Sequence, residues 1–306
     1  MRKYTGIEVL RVTCACLIPL LHISFSTPGV YYLQQYLARL GVPFFFSISG
    51  LFLSQSVRKR GEKEAWERYA KKISRLFLIW LIIYLPLLIV TGNFSIREVL
   101  FRTPAFLWYL GSMLIASIPF CFVKNRKVLY SISLILYVVG TLFGDTYRWL
   151  LGGMPIYEKI FITTRNGIFF ALPMMLIGEV ALALRKKYSA VSILAYILLA
   201  IEITIVGAHI QPGCDRSMYI LMPGFILFSL RTIMEWNPRV NVTYLGGISS
   251  AIYLMQYGVI TVMTTIFSKL LIPSALIGWF VYILVFIFPT VFYIITKETK
   301  IAKILF

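Results

Sequence analysis

Apolar residues follow one another along this chain in long stretches, and short polar connections separate the stretches. An α-helix of about 20 residues crosses the roughly 30 Å hydrocarbon core of a bilayer, so apolar runs of that length are typical of transmembrane helices. We place ten such segments at about residues 6–27, 40–56, 75–92, 104–123, 128–144, 164–184, 189–208, 217–234, 243–268 and 273–296. The second is short, and the ninth is long enough to contain a break. The pattern predicts an all-α, polytopic integral membrane protein with about ten transmembrane helices.

The composition supports the membrane interpretation and limits the kinds of site to expect. Hydrophobic residues make up 59% of the 306 positions, above the roughly 45–50% that is usual for soluble domains. We therefore expect a single transmembrane domain over residues 1–306, with the lipid bilayer as a partner. The four cysteines have no metal-ligand spacing, and most lie inside predicted segments, so we predict neither a metal site nor a disulfide framework. No cleaved signal peptide is recognisable.

The charge is strongly basic and unevenly placed. Thirty Lys and Arg residues against 12 Asp and Glu give a net charge of +18. A charge of this size could indicate nucleic-acid binding, but the basic residues cluster in alternate connections, as the positive-inside rule predicts for cytoplasmic loops. We therefore assign both termini to the cytoplasm and expect no nucleic-acid partner.

Arg11 and His22 are the polar residues of the first segment that most suggest chemistry. They are eleven positions apart, so a regular α-helix would place them within about 20° of one face and roughly 16.5 Å apart along the axis. Polar groups at such depth are costly and are functional candidates by default. Pro19 predicts a kink just before the histidine.

A structural interpretation competes with this one at the start of the segment. Thr5 and Glu8 fit the Thr-x-x-Glu capping box, so Glu8 could cap the helix N-terminus and Arg11 could only neutralise it. The capping box does not account for His22, which lies several turns further along the helix.

The second segment and the connection after it offer two interpretations each. Ser49 and Gly50 are either ordinary small-residue packing or part of a polar path beside the first segment. The basic connection, residues 57–75, is either an interfacial amphipathic helix with Trp66 and Tyr69 at headgroup level, or a surface for a polyanion such as the phosphates of coenzyme A.

Later segments carry further polar residues. Arg165 and Asn166 begin the sixth segment, where an arginine reaching to the headgroups competes with binding of a substrate carboxylate or phosphate. Glu202 lies within the seventh segment and needs a partner in space. Asp215 and Arg216 open the eighth segment, where an acidic N-cap is a sufficient explanation.

Two motifs on the first two segments carry a family resemblance. Arg11 and His22 form Arg-x10-His, and residues 45–50 read Phe-Phe-Ser-Ile-Ser-Gly; together they resemble the paired motifs of the acyltransferase-3 family of ten-helix membrane proteins. The runs LWYLGSMLIA at 107–116, TRNGIFFALPMMLIG at 164–178 and DRSMYILMP at 215–223 resemble the membrane half of the serine racemases of vancomycin-resistance clusters.

The resemblance implies an enzyme that transfers an acyl group, usually acetyl, from cytoplasmic acyl-coenzyme A to a hydroxyl of a cell-envelope glycan or a small-molecule acceptor. It implies a multi-pass protein of a bacterial plasma membrane with acyl-coenzyme A as a substrate and no bound cofactor. The catalytic candidates are His22 as the base, Arg11 as the donor or charge anchor, and Glu8. The substrate-binding candidates are Ser49, Gly50, Arg165, Asn166 and Arg75. The sequence does not fix the oligomeric state.

Two departures from the family pattern bear on these roles. A later family segment commonly reads Ile-Tyr-Leu-x-His, whereas this chain has Gln256 at the last position, and a glutamine cannot act as an acid or base near neutral pH. The basic Arg-x-x-Arg element becomes Lys72 and Arg75. The likeness to racemase fusions leaves a second hypothesis, transport of a small amino acid such as serine.

Overall fold

The helices of the protein were located in a computed structural model. It describes residues 4–92, 106–151, 163–210, 216–239, 241–270 and 272–306, and these residues contain no β-strand. The α-helices are α1 (Thr5–Leu17), α2 (Pro28–Tyr36), α3 (Gly41–Arg60), α4 (Glu62–Val90), α5 (Trp108–Phe122), α6 (Arg126–Leu142), α7 (Arg148–Leu151), α8 (Leu172–Ala183), α9 (Ser189–Gly207), α10 (Met222–Glu235), α11 (Leu245–Lys269), α12 (Ser274–Thr296) and α13 (Lys300–Leu305). Short 3₁₀ helices cover Ile18–His22, Ala38–Leu40 and Asp145–Tyr147, and a π-helical turn covers Gly167–Ala171.

The helical class and the membrane character agree with the sequence pattern. Within the described residues, six helical stretches are long and apolar enough to cross a bilayer, and two shorter apolar stretches accompany them. Each of the ten predicted segments overlaps a helix, although the predicted start of the fourth segment at residue 104 lies outside the described residues. The number of crossings and the cytoplasmic termini stay predictions.

The chain between the first two predicted segments, and the start of the third, differ from the prediction. Helix α2 occupies residues that the apolar pattern assigned to a connection, and α4 begins at Glu62 instead of residue 75. The early start has a physical cause, because Glu64 pairs with Arg68 at 2.9 Å and four-residue spacing within α4, and such pairs support a helix made of charged residues. Helix α11 runs without the break that its length allowed.

The first turns of α4 pack against the bundle. The indole nitrogen of Trp66 donates to the hydroxyl of Ser117 at 3.1 Å, and the Tyr69 hydroxyl lies 2.6 Å from that of Ser49. Both aromatic rings therefore contact the bundle, and the residues around them form the start of the long helix α4; their position at headgroup level stays a prediction.

Helices α3 and α8 form the most extensive helix contact. Their backbones approach so closely that a Cβ atom on Gly50 would overlap the Met175 carbonyl group, and one on Gly178 would overlap the Ser47 carbonyl oxygen. The Ser47 hydroxyl also donates to the Met174 carbonyl oxygen at 2.8 Å across the same contact. Small residues permit this approach in membrane proteins, and it fixes α3 in the centre of the bundle.

Glu202 finds the partners that its position in α9 required. Its carboxylate accepts hydrogen bonds from the backbone N–H groups of Ile220 (2.6 Å) and Leu221 (2.9 Å), just before α10, and from the Tyr147 hydroxyl. Burial raises the pKa of the Tyr147 phenol, and the bond to Glu202 raises it further, so the phenol stays a donor. Glu202 is therefore a structural cap that joins α9 to α10.

Candidate functional site

Two cavities enter the helix bundle from opposite ends and come close to each other near its centre. The inner cavity, of about 390 Å³, lies between the C-terminal half of α3 and the N-terminal half of α4. The outer cavity, of about 480 Å³, lies beside the 3₁₀ helix Ile18–His22 and the N-terminus of α3. Tyr253 on α11 lines both cavities. The two cavities therefore share a wall.

Tyr253 packs against two further aromatic residues that line the inner cavity, Phe45 and Tyr109, and we call the three residues the aromatic partition. The ring of Tyr109 lies 5.3 Å from that of Tyr253 and 6.0 Å from that of Phe45, centroid to centroid, and the rings of Phe45 and Tyr253 are also 6.0 Å apart. All three residues are buried. Apolar aromatic residues are common in membrane helices, so sequence patterns gave no signal for this wall.

The inner cavity combines basic residues with an apolar interior. Four basic residues contribute to its lining: Arg11, Arg60, Arg68 and Lys72. Deeper in, the lining is mostly apolar: Phe45, Ile48, Phe52, Leu53, Ile73, Leu76, Leu110, Met113 and Leu254. No acidic residue among the described residues contributes to this lining. An elongated ligand with an anionic end and an apolar end matches that division.

Arg11 is held at the inner cavity by two partners. Its guanidinium pairs with the Glu8 carboxylate at 3.1 Å and approaches the Gly246 carbonyl oxygen at 3.5 Å. A Cβ on Gly246 would come within 2.9 Å of both charged groups, so the glycine makes room for the pair. Helix α1 begins at Thr5 with no side-chain cap from Tyr4. Thr5 is the first residue of α1 and not its N-cap, so the capping box is wrong, whereas the expected pairing of Arg11 with Glu8 is present.

The other inner candidates divide between the cavity and its surroundings. Ser49 lines the inner cavity, whereas Gly50, its neighbour in sequence, packs against α8. Arg75 is solvent-exposed and, among the described residues, is not part of either cavity's lining, while Lys72, three positions earlier, is. The packing interpretation is confirmed for Gly50, whereas a polar path past Ser49 stays a prediction.

His22 lies at the outer cavity, where it stacks on Phe106 with ring centroids 3.8 Å apart. The chain passes from α-helix to 3₁₀ helix at Ile18, next to Pro19. Since a 3₁₀ helix turns by about 120° per residue, His22 lies roughly 120° from Arg11 around the axis instead of about 20°. The regular α-helix that a shared stripe of Arg11 and His22 requires therefore ends at Leu17, just before Pro19, and the two residues line different cavities.

Arg165 and Asn166, adjacent in sequence, have different surroundings. The Arg165 guanidinium lies over the Trp108 ring, 4.6 Å from its centroid, and donates to the Ser217 hydroxyl at 3.3 Å in the outer cavity. The Asn166 side chain accepts from the N–H groups of Ile168 and Phe169 at 2.9 and 3.1 Å. Asn166 thus caps the π-helical turn, while Arg165 faces the cavity. Asp215 lies outside the described residues.

Three further residues of the outer cavity were not singled out from the sequence as site candidates. Arg39 and Arg148 carry charge into it, and Asp145 lies 3.7 Å from Arg148. These three residues lie in or next to short helices, and only the tertiary fold brings them to the same cavity. The local sequence pattern therefore did not mark them. The part of the chain that the structure describes holds no cluster of three or more His, Cys, Asp or Glu side chains arranged for a metal ion.

Residues 4–296 match the family whose description is an acyltransferase domain, the acyltransferase-3 family. The chain belongs to this family. The match covers nearly the whole chain and confirms the resemblance that the Arg-x10-His and Phe-Phe-x-x-Ser-Gly motifs carried. Membership of the acyltransferase-3 family, together with the apolar helices, identifies the chain as a membrane protein of an acyltransferase family.

Curated relatives of this acyltransferase-3 chain are named as racemases. Two proteins named amino-acid racemase, from Enterococcus faecalis, are 24% identical over 86% of this chain and 30% identical over 72% of it. A protein named serine/alanine racemase, from Enterococcus gallinarum, is 26% identical over 83% of it. The alignments cover 42%, 34% and 40% of those relatives, so the chain spans about two fifths or less of their length. No solved structure matches this chain.

Proposed function

We propose that this acyltransferase-3 chain is a membrane O-acyltransferase that takes an acyl group, acetyl in the simplest case, from acyl-coenzyme A and gives it to a hydroxyl of an envelope glycan or small-molecule acceptor. The observation that carries the proposal is the pair of cavities on either side of the aromatic partition. One has a basic and apolar lining, and the other contains a histidine. We place the protein in a bacterial plasma membrane, with the inner cavity facing the cytoplasm.

The inner cavity fits the chemistry of the donor. Coenzyme A carries phosphates, and Arg60, Arg68 and Lys72 offer charge-assisted hydrogen bonds to such groups. The apolar residues of the same lining suit the pantetheine arm of coenzyme A and the acyl chain. Arg11 lines the same cavity from α1, and we assign its guanidinium to polar groups of the donor.

The proposed reaction uses His22 as the base. Its neutral imidazole accepts the proton of the acceptor hydroxyl while that oxygen forms a bond to the thioester carbonyl carbon. The carbon–sulfur bond then breaks, and the imidazolium returns the proton to the leaving thiolate, which departs as free coenzyme A. Because His22 faces the outer cavity and the donor enters the inner one, the thioester must pass the aromatic partition before reaction.

Donor binding and turnover test the proposal separately. We would titrate acetyl-coenzyme A into the purified protein and follow release of free coenzyme A in the presence of extracted envelope glycans. Lys72→Gln should weaken binding about tenfold, as loss of a charge-assisted contact predicts, while the matched variant Arg75→Gln should bind like wild type. His22→Gln should bind the donor and release no coenzyme A. Absence of donor binding by folded wild type would overturn the proposal.

Transport of a small amino acid such as serine is a second candidate. It is favoured by the relatives' names, which concern amino acids, and by two cavities that share Tyr253 in their linings, an arrangement compatible with alternating access. Proteoliposomes loaded with radiolabelled serine would decide between them. A transporter should exchange serine without acetyl-coenzyme A and keep exchange in His22→Gln.

A further inference from the structure

Gln256 is a buried polar residue that the proposed acyl transfer does not use. It lies on α11 and contributes to the wall of the outer cavity, with 0% of its surface exposed. Neither its Oε1 nor its Nε2 atom has a hydrogen-bond partner among the described residues. Burying an amide without partners is unfavourable, and most buried polar side chains are paired for that reason. The unpaired amide therefore needs an explanation.

The backbone on either side of Gln256 is held in place, whereas its side chain is long and flexible. The Tyr84 hydroxyl donates to the Leu254 carbonyl oxygen and accepts from the Gly258 N–H group at 3.4 Å. These two bonds oppose a shift of this turn of α11. Rotation of the Gln256 side chain between staggered rotamers is the simplest movement that turns the amide into the cavity it borders.

The two unpaired atoms restrict the kind of group that the amide can bind. Oε1 needs a donor, and Nε2, attached to the same carbon, needs an acceptor. A phosphate or an ionised carboxylate only accepts, and the N–H and C=O of a trans peptide group point in opposite directions. Two hydroxyls on neighbouring carbons satisfy both atoms, because one donates to Oε1 while the other accepts from Nε2.

The remaining lining of the outer cavity suits the carbon skeleton of such a ligand. Phe106, Trp108, Phe170 and Tyr253 contribute aromatic side chains to it. Aromatic rings cover the C–H surface of a sugar ring without engaging its hydroxyls. The volume of about 480 Å³ lies within the roughly 300–1,000 Å³ of small-molecule sites. The cavity therefore has room for a sugar ring beside Gln256.

We propose that the outer cavity binds a vicinal diol, two neighbouring hydroxyls of a sugar or polyol, and that Gln256 is the residue that selects it. His22 lines the same cavity, so a diol bound there shares the cavity with the base. The assignment of the diol to the acyl acceptor rests on the proposed function; the diol site itself does not. The acceptor is thereby narrowed from any hydroxyl compound to one with at least two adjacent hydroxyls.

A free amino acid fits the amide of Gln256 less well. Its ammonium group would donate to Oε1 and its carboxylate would accept from Nε2, but both charges would lose their hydration beside a neutral amide. Hydroxyls form the same two bonds at a smaller desolvation cost. Serine is therefore the competing ligand in the test.

A pair of matched sugars tests the site without any acyl donor. Methyl glucoside has adjacent ring hydroxyls, whereas its 3-deoxy analogue has none. We would reconstitute the protein in phosphatidylcholine nanodiscs and titrate both sugars and serine by ligand-detected NMR, which measures weak complexes. The glucoside should bind about tenfold more tightly than its deoxy analogue, as the loss of two hydrogen bonds predicts.

Variants of Gln256 separate recognition from folding. Gln256→Met keeps an unbranched side chain without a donor, and Gln256→Leu is equally apolar. Both should bind the two sugars equally, while removal of an unpaired amide leaves the thermal midpoint unchanged or higher. The matched variant Gln55→Met should keep the preference, because Gln55, whose Oε1 is also unpaired within the described part of the chain, lines neither cavity.

A second set of nanodiscs distinguishes the sources of the diol. Phosphatidylglycerol carries two adjacent hydroxyls on its headgroup. Competition by this lipid against methyl glucoside would identify a lipid headgroup as the ligand, and undiminished binding of the glucoside would identify a diol on a glycan or soluble acceptor. Either result supports the diol site.

Four results would overturn the proposal: equal affinities for the two sugars, no binding of either sugar, an unchanged preference in Gln256→Met, or tighter binding of serine than of the glucoside. These results are separable from failure of the acyltransferase proposal. Acetyl-coenzyme A binding and coenzyme A release, measured on the same samples, report on that proposal alone.

Discussion

The hydroxyl of Tyr253 donates a hydrogen bond to the carbonyl oxygen of Phe106 at 2.6 Å. Phe106 needs such a tether, because its φ of 62° lies in the left-handed region that bulky residues rarely adopt. The ring of Phe106 in turn stacks on His22. Tyr253 of the aromatic partition is therefore linked to His22 through one hydrogen bond and one ring contact.

Tyr253→Phe should uncouple His22 from the partition. Loss of the hydroxyl leaves the Phe106 carbonyl without its donor, and we expect a cost of about 1–3 kcal/mol in stability and a fall in coenzyme A release of about tenfold at unchanged donor affinity. The matched control is Tyr137→Phe. It removes a buried hydroxyl that donates to the Tyr219 carbonyl oxygen at 2.7 Å, and neither residue lines a cavity. That variant should lose similar stability and keep its turnover; equal turnover losses would contradict the coupling.

Gly50→Ala should destabilise the bundle without touching either cavity. The added methyl would overlap the backbone of Met175, and overpacking of a tight contact costs about 1–3 kcal/mol or more. Thermal unfolding in detergent measures the loss. Gly224→Ala is the control, since a Cβ at that position meets nothing within 4 Å, and it should be neutral or stabilising by up to about 1 kcal/mol. An unchanged midpoint for Gly50→Ala would show that α3 and α8 are less closely packed.

The helices were predictable because apolar length is a local property of the sequence. The face of His22 was not: its angle relative to Arg11 depends on five residues of 3₁₀ helix, and Pro19 signals a kink without specifying its geometry. Lys72 and Gln256 line their cavities because of how α4 and α11 are oriented in the bundle. That orientation depends on neighbouring helices and cannot be predicted from one segment alone. The family motifs drew attention to one candidate residue at each cavity, Arg11 and His22, and the three-dimensional fold showed the aromatic partition beside them.

Glu202→Gln should weaken the junction of α9 with α10. A neutral amide oxygen accepts less strongly than a carboxylate from the N–H groups of Ile220 and Leu221 and from the Tyr147 hydroxyl, so we expect a loss of about 1–3 kcal/mol. Hydrogen exchange should locate faster opening at residues 220 and 221. Glu64→Gln, which alters an exposed pair with Arg68, should cost at most about 1 kcal/mol. Unchanged exchange at both amides would contradict the capping role.

The two halves of the Arg11–Glu8 pair should change donor binding in opposite directions. If Arg11 serves the donor in the inner cavity, Glu8→Gln removes a competing carboxylate 3.1 Å from the guanidinium and should tighten acetyl-coenzyme A binding about threefold, whereas Arg11→Gln should weaken it about tenfold. If the pair were only structural, both variants would lose stability and neither would change affinity in a salt-dependent way. Calorimetric titration at two ionic strengths distinguishes these cases. The opposite signs matter most, because a general loss of folding lowers both affinities and cannot raise one of them.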